Sequence, residues 1–305
     1  MQGFYILAFY DKTEKRLGLF ILFFLMYVMA IIGNLGIITA ISIDVRLHTP
    51  MYVFLWNLSC VDTIFPTVTL PKLMDILLTG NNFISFVQCF TQMYFFTYVA
   101  GSEVITLSFM AYDRYVAICY PLHYLLIMNT KKCIITLLGN WLLECVNAFI
   151  FIIFALKLSL VSNKINNFFC DVKAVAKISC TESDFNIVIL VEALLFGVMP
   201  FLFSLISYIK IISSILCIST NESRKKAFST CASHFTVITI YYATALWMYV
   251  RPSSEHSEKQ DPLFSLIHSV LTPMLNPLIY SLRNKEIKRT LRTIIGFKPG
   301  SKKKI

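Results

Sequence analysis

The chain has 305 residues, 57% of them hydrophobic and 14% charged, with a mean hydropathy of +0.69 and a formal net charge of +10. That balance exceeds what a water-soluble globule carries and points to a membrane protein. The excess positive charge fits the ends of membrane spans and contact with anionic lipid, not nucleic acid.

About 20 apolar residues cross a bilayer as a helix, and seven runs of roughly that length follow one another. They lie at roughly 17–42, 51–78, 88–113, 133–156, 187–211, 228–250 and 262–282, after a tail at 1–16 and before a basic tail at 283–305. The first run holds Asn34 in IIGNLG and is expected to act as its own signal anchor. Asp62 stands in the second, in LSCVD, and Glu103 in the third, in GSEVITLSF. The third run ends at MAYDRYVAICYPLHY, residues 110 to 124. In the fifth, Glu192 precedes Phe196 by one turn, and the seventh carries Asn276 and Pro277 in PMLNPLIY. Lipid cannot satisfy free backbone groups, and the runs lack the alternation of barrel strands, so the fold class is an all-α bundle of seven membrane-spanning helices. A short amphipathic helix is expected in the C-terminal tail.

An odd number of spans puts the termini on opposite sides. With the N-terminus outside, the inner set is Arg46, Arg114, Lys131, Lys132, Lys210, Arg224, Lys225, Lys226 and nine residues from Arg283 to Lys304, which is 17 of the 27 basic residues. Lys12, Lys15 and Arg16 run against that bias. Six cysteines fall in or at the inner ends of spans, leaving Cys89, Cys170 and Cys180 outside. There is no Gly-rich phosphate loop, no Cys-x-x-Cys and no His-Glu-x-x-His, and the five histidines are scattered, so an enzyme is not expected.

Ionisable groups inside a span are costly and point to function. Glu103 lies ten residues before Asp113, about 15 Å along a helix, and Asp62 reaches similar depth in its own run. Two carboxylates at one level suggest a shared proton or a sodium ion among oxygen ligands; the alternative is two separately hydrogen-bonded acids. Asn34, Asp62 and Asn276 suggest an interior hydrogen-bond network across three spans, beside the donor that Pro277 removes.

MAYDRYVAICYPLHY, KAFSTCASHFTV (226 to 237) and PMLNPLIYSLRNKEIK (273 to 288) together resemble the vertebrate olfactory receptors of the rhodopsin-like G-protein-coupled class. The GN of the first run, HTPMYVFLWNLSCVD (48 to 62) and FFCD (168 to 171) fit the same family in the same order. The resemblance implies that Asp113 holds Arg114 at rest and releases it to a G protein when the sixth span moves outward. Tyr115 belongs to the same motif, and Tyr208 and Tyr280 match tyrosines that rearrange with it. The implied partner is a stimulatory olfactory-type G protein that raises cyclic AMP, and the implied place is the plasma membrane of olfactory sensory neuron cilia. It also implies a Cys89–Cys170 disulfide.

The resemblance places an odorant pocket in the outer half of the third, fifth and sixth spans. Helical spacing puts Phe96, Thr97, Ala100, Gly101 and Val104 on one face, and Tyr242, Ala245, Leu246 and Tyr249 on another. Such a lining suits small volatile molecules, and Glu192 facing it with Phe196 would favour a polar or cationic one; the alternative is a Glu192 that reaches the headgroups. The chain departs from the family pattern at several points. Leu160 stands where a further loop cysteine is usual, which leaves Cys180 a free thiol, and Asn167 precedes FFCD where His is usual. Ala243 and His268 replace a common Gly and Tyr. The sequons at Asn57 and Asn221 fall in a span and an inner loop, and the leading tail has none, which puts trafficking in question. The rival readings are an ectopic or poorly trafficked receptor copy and, from another class, a cation transporter or channel through Asp62 and Glu103, for which internal repeats and broken helix pairs are missing.

Overall fold

A computed structural model describes residues 2–7, 9, 16–180, 183–218, 220–250 and 261–294. Lys12 and Lys15, the tail from residue 295 onward and the side chain of Tyr249 lie outside the described residues.

Among the described residues, seven long helices run in sequence: α1 Arg16–Ile43, α2 Pro50–Thr79, α3 Phe86–Cys119, α4 Thr130–Ala155, α5, α6 Asn221–Val250 and α7. The fifth is built from Ser183–Glu192, a π turn at Ala193–Val198 and Met199–Leu216. The seventh is built from Asp261–Leu266, a π turn at Ile267–Leu271 and Thr272–Arg283. A short helix, α8, follows at Lys285–Ile294.

Several helices overrun the apolar runs that announce them. Hydropathy marks where side chains are apolar, whereas the backbone ladder continues until a cap stops it. α3 thus reaches Cys119, carrying Asp113 and Arg114 inside a helix, and stops just before the turn at Pro121–His123. Its start is fixed by a capping box in which Ser85 accepts from the Gln88 amide at 3.2 Å and Gln88 from the Ser85 amide at 3.1 Å. Gly80 closes α2 with φ at 74°, a left-handed cap that glycine adopts without a Cβ penalty.

α1, α2, α4, α5 and α7 each contain a stretch long and apolar enough to cross a membrane. Their outward side chains, such as Leu142, Leu143 and Phe149 of α4 and Leu194, Leu202 and Ile206 of α5, are exposed in the isolated chain, as lipid-facing residues must be. α3 is more polar because it lies at the centre, packed on α2, α4 and α5. Gly33 lets α1 approach α7 closely, since a Cβ there would come within 3.0 Å of Pro277.

The disulfide end of the bundle is covered by a small sheet. β1 (Gly3–Ile6) pairs antiparallel with β2 (Phe83–Ser85) and parallel with β3 (Lys164–Ile165), so the leading tail is tied to two loops. Gly3 is required there because a Cβ would run into the Ile84 carbonyl. At the opposite end α8 docks through buried Ile287 and through Thr290, whose hydroxyl donates to Asp44 at 2.6 Å. Arg46, then Thr290, hold the Asp44 carboxyl well below the usual carboxylate range. Lys288, Arg289 and Arg292 are exposed on α8, a distribution suited to a lipid headgroup surface.

Candidate functional site

At the end of the bundle away from the disulfide, Asp113 is fully buried and is engaged twice. The Tyr124 hydroxyl donates to its Oδ1 at 2.7 Å, and Arg114 Nη2 lies 3.1 Å from its Oδ2. Tyr124 belongs to the turn Tyr124–Ile127, where burial, reinforced by Asp113, pushes its phenol up and keeps it a donor. Tyr115 donates to Tyr120 at 3.3 Å, with Lys210 over its ring. Tyr208 and His234 are both buried and share a hydrogen bond of 2.9 Å between α5 and α6. The Tyr280 hydroxyl is buried with no hydrogen-bond partner among the described residues.

Mid-bundle, Asp62 and Glu103 are both buried and lie within electrostatic reach of each other. Asn276, one residue before Pro277, donates to Asp62 Oδ2 at 2.9 Å. Asn34 donates elsewhere, to the Ala30 carbonyl at 2.9 Å and the Pro273 carbonyl at 3.0 Å, so its amide joins α1 to α7 rather than donating to Asp62. Asp62 Oδ1 and Glu103 Oε1 are buried without a hydrogen-bond partner among the described residues. Two such oxygens suit a hard cation or a shared proton. A second polar tie is invisible to sequence reasoning: Asn57 accepts from Trp141 at 2.6 Å and donates to Thr106 at 2.9 Å, linking α2, α3 and α4. Only its Asn-x-Ser pattern stands out in the sequence, and its exposure of 2% leaves no access for a glycan.

Toward the disulfide end the proposed ligand residues separate into groups. Phe96 is buried against Phe65 and Phe169, with ring centroids at 5.3 and 4.7 Å. Phe168 and Phe169, fully buried, carry the loop down onto α3. Tyr242 packs on Phe201, and the Ala100 carbonyl accepts from Tyr241 at 3.3 Å. Val104 is buried; Thr97, Ala245 and Phe196 are half-buried. Leu246 is 50% exposed, on the outer surface of α6. Gly101 faces α4, where a Cβ would run into the Glu144 carboxylate. Glu192 accepts from the Asn147 side chain of α4 at 2.9 Å. His268 is buried between Tyr241 and Phe65 and shares a hydrogen bond of 3.0 Å with Thr244.

Cys89 and Cys170 form a disulfide and Cys180 is free and exposed. The Cys170 amide donates to Gln92 at 2.9 Å, and Gln92 in turn donates to the Val68 carbonyl at 2.8 Å. Beside this bridge a cavity of about 230 Å³ is lined by loop and α7 residues including Asn167, Asp171, Lys173, Lys177, Asp261 and Ser265. It is a vestibule, and the residues named above for the odorant lie outside its lining.

Asp171 is buried in that vestibule, and burial pushes its carboxyl from 3.8 up to about 6, opposed by Lys173 and the amides of Val172 and Lys173, with Asp261 adding to the rise. A value raised on folding gives stability that is complete below about pH 4 and is lost as the pH rises through about 6. The cost at neutral pH is on the order of 3 kcal/mol. Asp171→Asn is therefore expected to raise the thermal midpoint of the detergent-solubilised protein by a few degrees at pH 7.5 and to leave it unchanged at pH 4.5. Equal midpoints of the two proteins at pH 7.5 would contradict this.

Residues 23–298 match the olfactory receptor family. Similar proteins include the olfactory receptor-like protein OLF4 of Canis lupus familiaris, 43% identical over 97% of this chain and 96% of its own length. Olfactory receptor 2K2 of Homo sapiens is 42% identical over 96% and 93%, and olfactory receptor 1f45 of Rattus norvegicus 40% over 98% and 96%.

Proposed function

The chain belongs to the olfactory receptor family, and on that premise we propose that it is an odorant receptor of the plasma membrane that couples to a stimulatory olfactory-type G protein and raises cyclic AMP. Its N-terminus faces outward and its C-terminus the cytoplasm, in the cilia of olfactory sensory neurons. A small volatile molecule binds between α3, α5 and α6, with Phe96, Thr97, Ala100, Val104, Phe196, Tyr242, Ala245 and Tyr249 as the candidate lining.

The observation that supports this most is the cluster at the other end of the bundle. Asp113 pins Arg114 and is itself held by Tyr124, while Tyr208 and His234 join α5 to α6. These contacts favour one packing of the helix ends. An odorant that binds an alternative packing more tightly shifts the population toward it and frees Arg114 for the G protein. Asn276 and Pro277 provide the polar hinge of α7 beside Asp62, with Tyr280 one turn further on.

Asp62 and Glu103 fit a sodium ion or a shared proton through their unpartnered oxygens. Bound there, the ion supplies the positive charge that two buried carboxylates lack, and Asn276 orients Asp62 toward it.

The test is cyclic AMP in transfected cells challenged with an odorant panel, in sodium medium and in medium with N-methylglucamine instead. At least one odorant is expected to raise cyclic AMP, with a sodium-dependent midpoint that Asp62→Asn makes insensitive. Receptor at the surface with no response through any G protein would overturn the functional reading. An odorant response with the same midpoint in both media would overturn the sodium site alone.

A further inference from the structure

The fourth and fifth helices bring together a second acidic pair, separate from Asp62 and Glu103. Glu144 of α4 is completely buried. The Asn147 side-chain nitrogen donates to Glu144 Oε2 at 3.3 Å and to Glu192 Oε1 of α5 at 2.9 Å. One nitrogen therefore stands between carboxylates from two helices.

Independently of that pairing, Glu144 Oε1 is buried and has no hydrogen-bond partner among the described residues. Among the described residues, neither acid is ion-paired with a lysine, arginine or histidine. A neutral amide fills two acceptor sites but supplies no charge, so the pair lacks a counter-cation.

The surroundings are shaped for the pair. Gly101 of α3 forms a notch in which the Glu144 carboxylate rests, since a Cβ at that position would run into it. Glu103, two residues on, lies roughly 200° around the helix, so α3 separates the two acidic sites. The π turn at Ala193–Val198 begins directly after Glu192, and such turns recur where a helix must aim a side chain at a site.

We propose that Glu144 and Glu192 form a binding site for the ammonium group of an alkylamine ligand, which displaces the Asn147 nitrogen that bridges them, while Gly101 makes room for the Glu144 carboxylate. The Asn147 nitrogen already occupies the position such a group would take. An ammonium offers three N–H donors, enough for Glu192 Oε1 and both oxygens of Glu144, and adds the missing charge, while its alkyl chain runs toward the apolar face of α3. This names the ligand class and rests on the odorant reading.

Two measurements test it, with hexylamine and 1-hexanol as matched probes. In the first, cyclic AMP is recorded for the wild type, Glu144→Gln and Glu192→Gln at equal surface density. Hexylamine is expected to act at a lower concentration than hexanol on the wild type, and each substitution to raise its midpoint tenfold or more without moving that of hexanol. In the second, the thermal midpoint of the purified receptor is read with hexylammonium chloride or sodium chloride at equal ionic strength. Hexylammonium is expected to raise it in the wild type and not in Glu144→Gln. A thermal shift without signalling would support the amine site and count against the odorant reading. Unchanged hexylamine behaviour in both variants, or an equal shift from sodium chloride, would overturn the site even where neutral odorants signal normally.

Discussion

Cys89→Ser and Cys170→Ser are each expected to empty the cell surface of receptor, whereas Cys180→Ser leaves it populated. The bridge spans a sequence separation of 81 residues, and a loop of that length corresponds to about 4–5 kcal/mol of chain entropy removed from the unfolded state. Cys170 is also the pivot of the covering loop. Its amide is held by Gln92, and the neighbouring Phe168 and Phe169 are fully buried on α3. Without the bridge, this aromatic plug loses its anchor to the first turn of α3. Cys180 is exposed, so removing its thiol costs little. Flow cytometry of a receptor tagged at the N-terminus checks this. The double variant Cys89→Ser/Cys170→Ser is expected to match either single one, since all three remove the same bond. Wild-type surface levels of Cys170→Ser would contradict the assignment.

Asp113→Asn is expected to raise basal cyclic AMP several-fold, with Tyr124→Phe giving a smaller rise in the same direction. Asp113 is buried and contacts Arg114 at 3.1 Å and Tyr124 at 2.7 Å, the contacts that hold the resting packing in the proposed mechanism. Replacing the carboxylate by an amide keeps the volume but removes the charge that pins the guanidinium. A loss of about 1.4 kcal/mol from the resting side changes the ratio of the two packings tenfold. Tyr124→Phe leaves the Arg114 pair intact, hence the smaller effect. Basal signal normalised to surface receptor is the measurement, and a basal level below wild type in Asp113→Asn would contradict a resting-state latch.

The bundle is legible because hydrocarbon leaves the backbone few choices: seven apolar runs must become helices, and they do. Helix ends are less legible, since α3 continues to Cys119 on backbone bonding that hydropathy does not register. Nothing local in GFYI announces β1, whose partners lie roughly 80 and 160 residues further along the chain. Asp113 and Arg114 are adjacent and announce themselves. Tyr124 does not, because its approach depends on the turn after Pro121. Asp62 and Asn276 can be paired by depth along their helices, but depth alone also suggests Asn34, which the packing turns toward Pro273. Glu144 escapes a sequence reading for the same reason. Its partner Asn147 lies one turn away, yet the face they share becomes meaningful only when Gly101 and Glu192 arrive from other helices.

In the proposed mechanism a signal generated at one end of the bundle leaves through Arg114 at the other. Odorant-evoked cyclic AMP for Arg114→Ala, at surface density and odorant affinity matched to wild type, tests it most directly. The evoked signal is expected to fall at least tenfold while odorant binding persists. A full response in Arg114→Ala would contradict it.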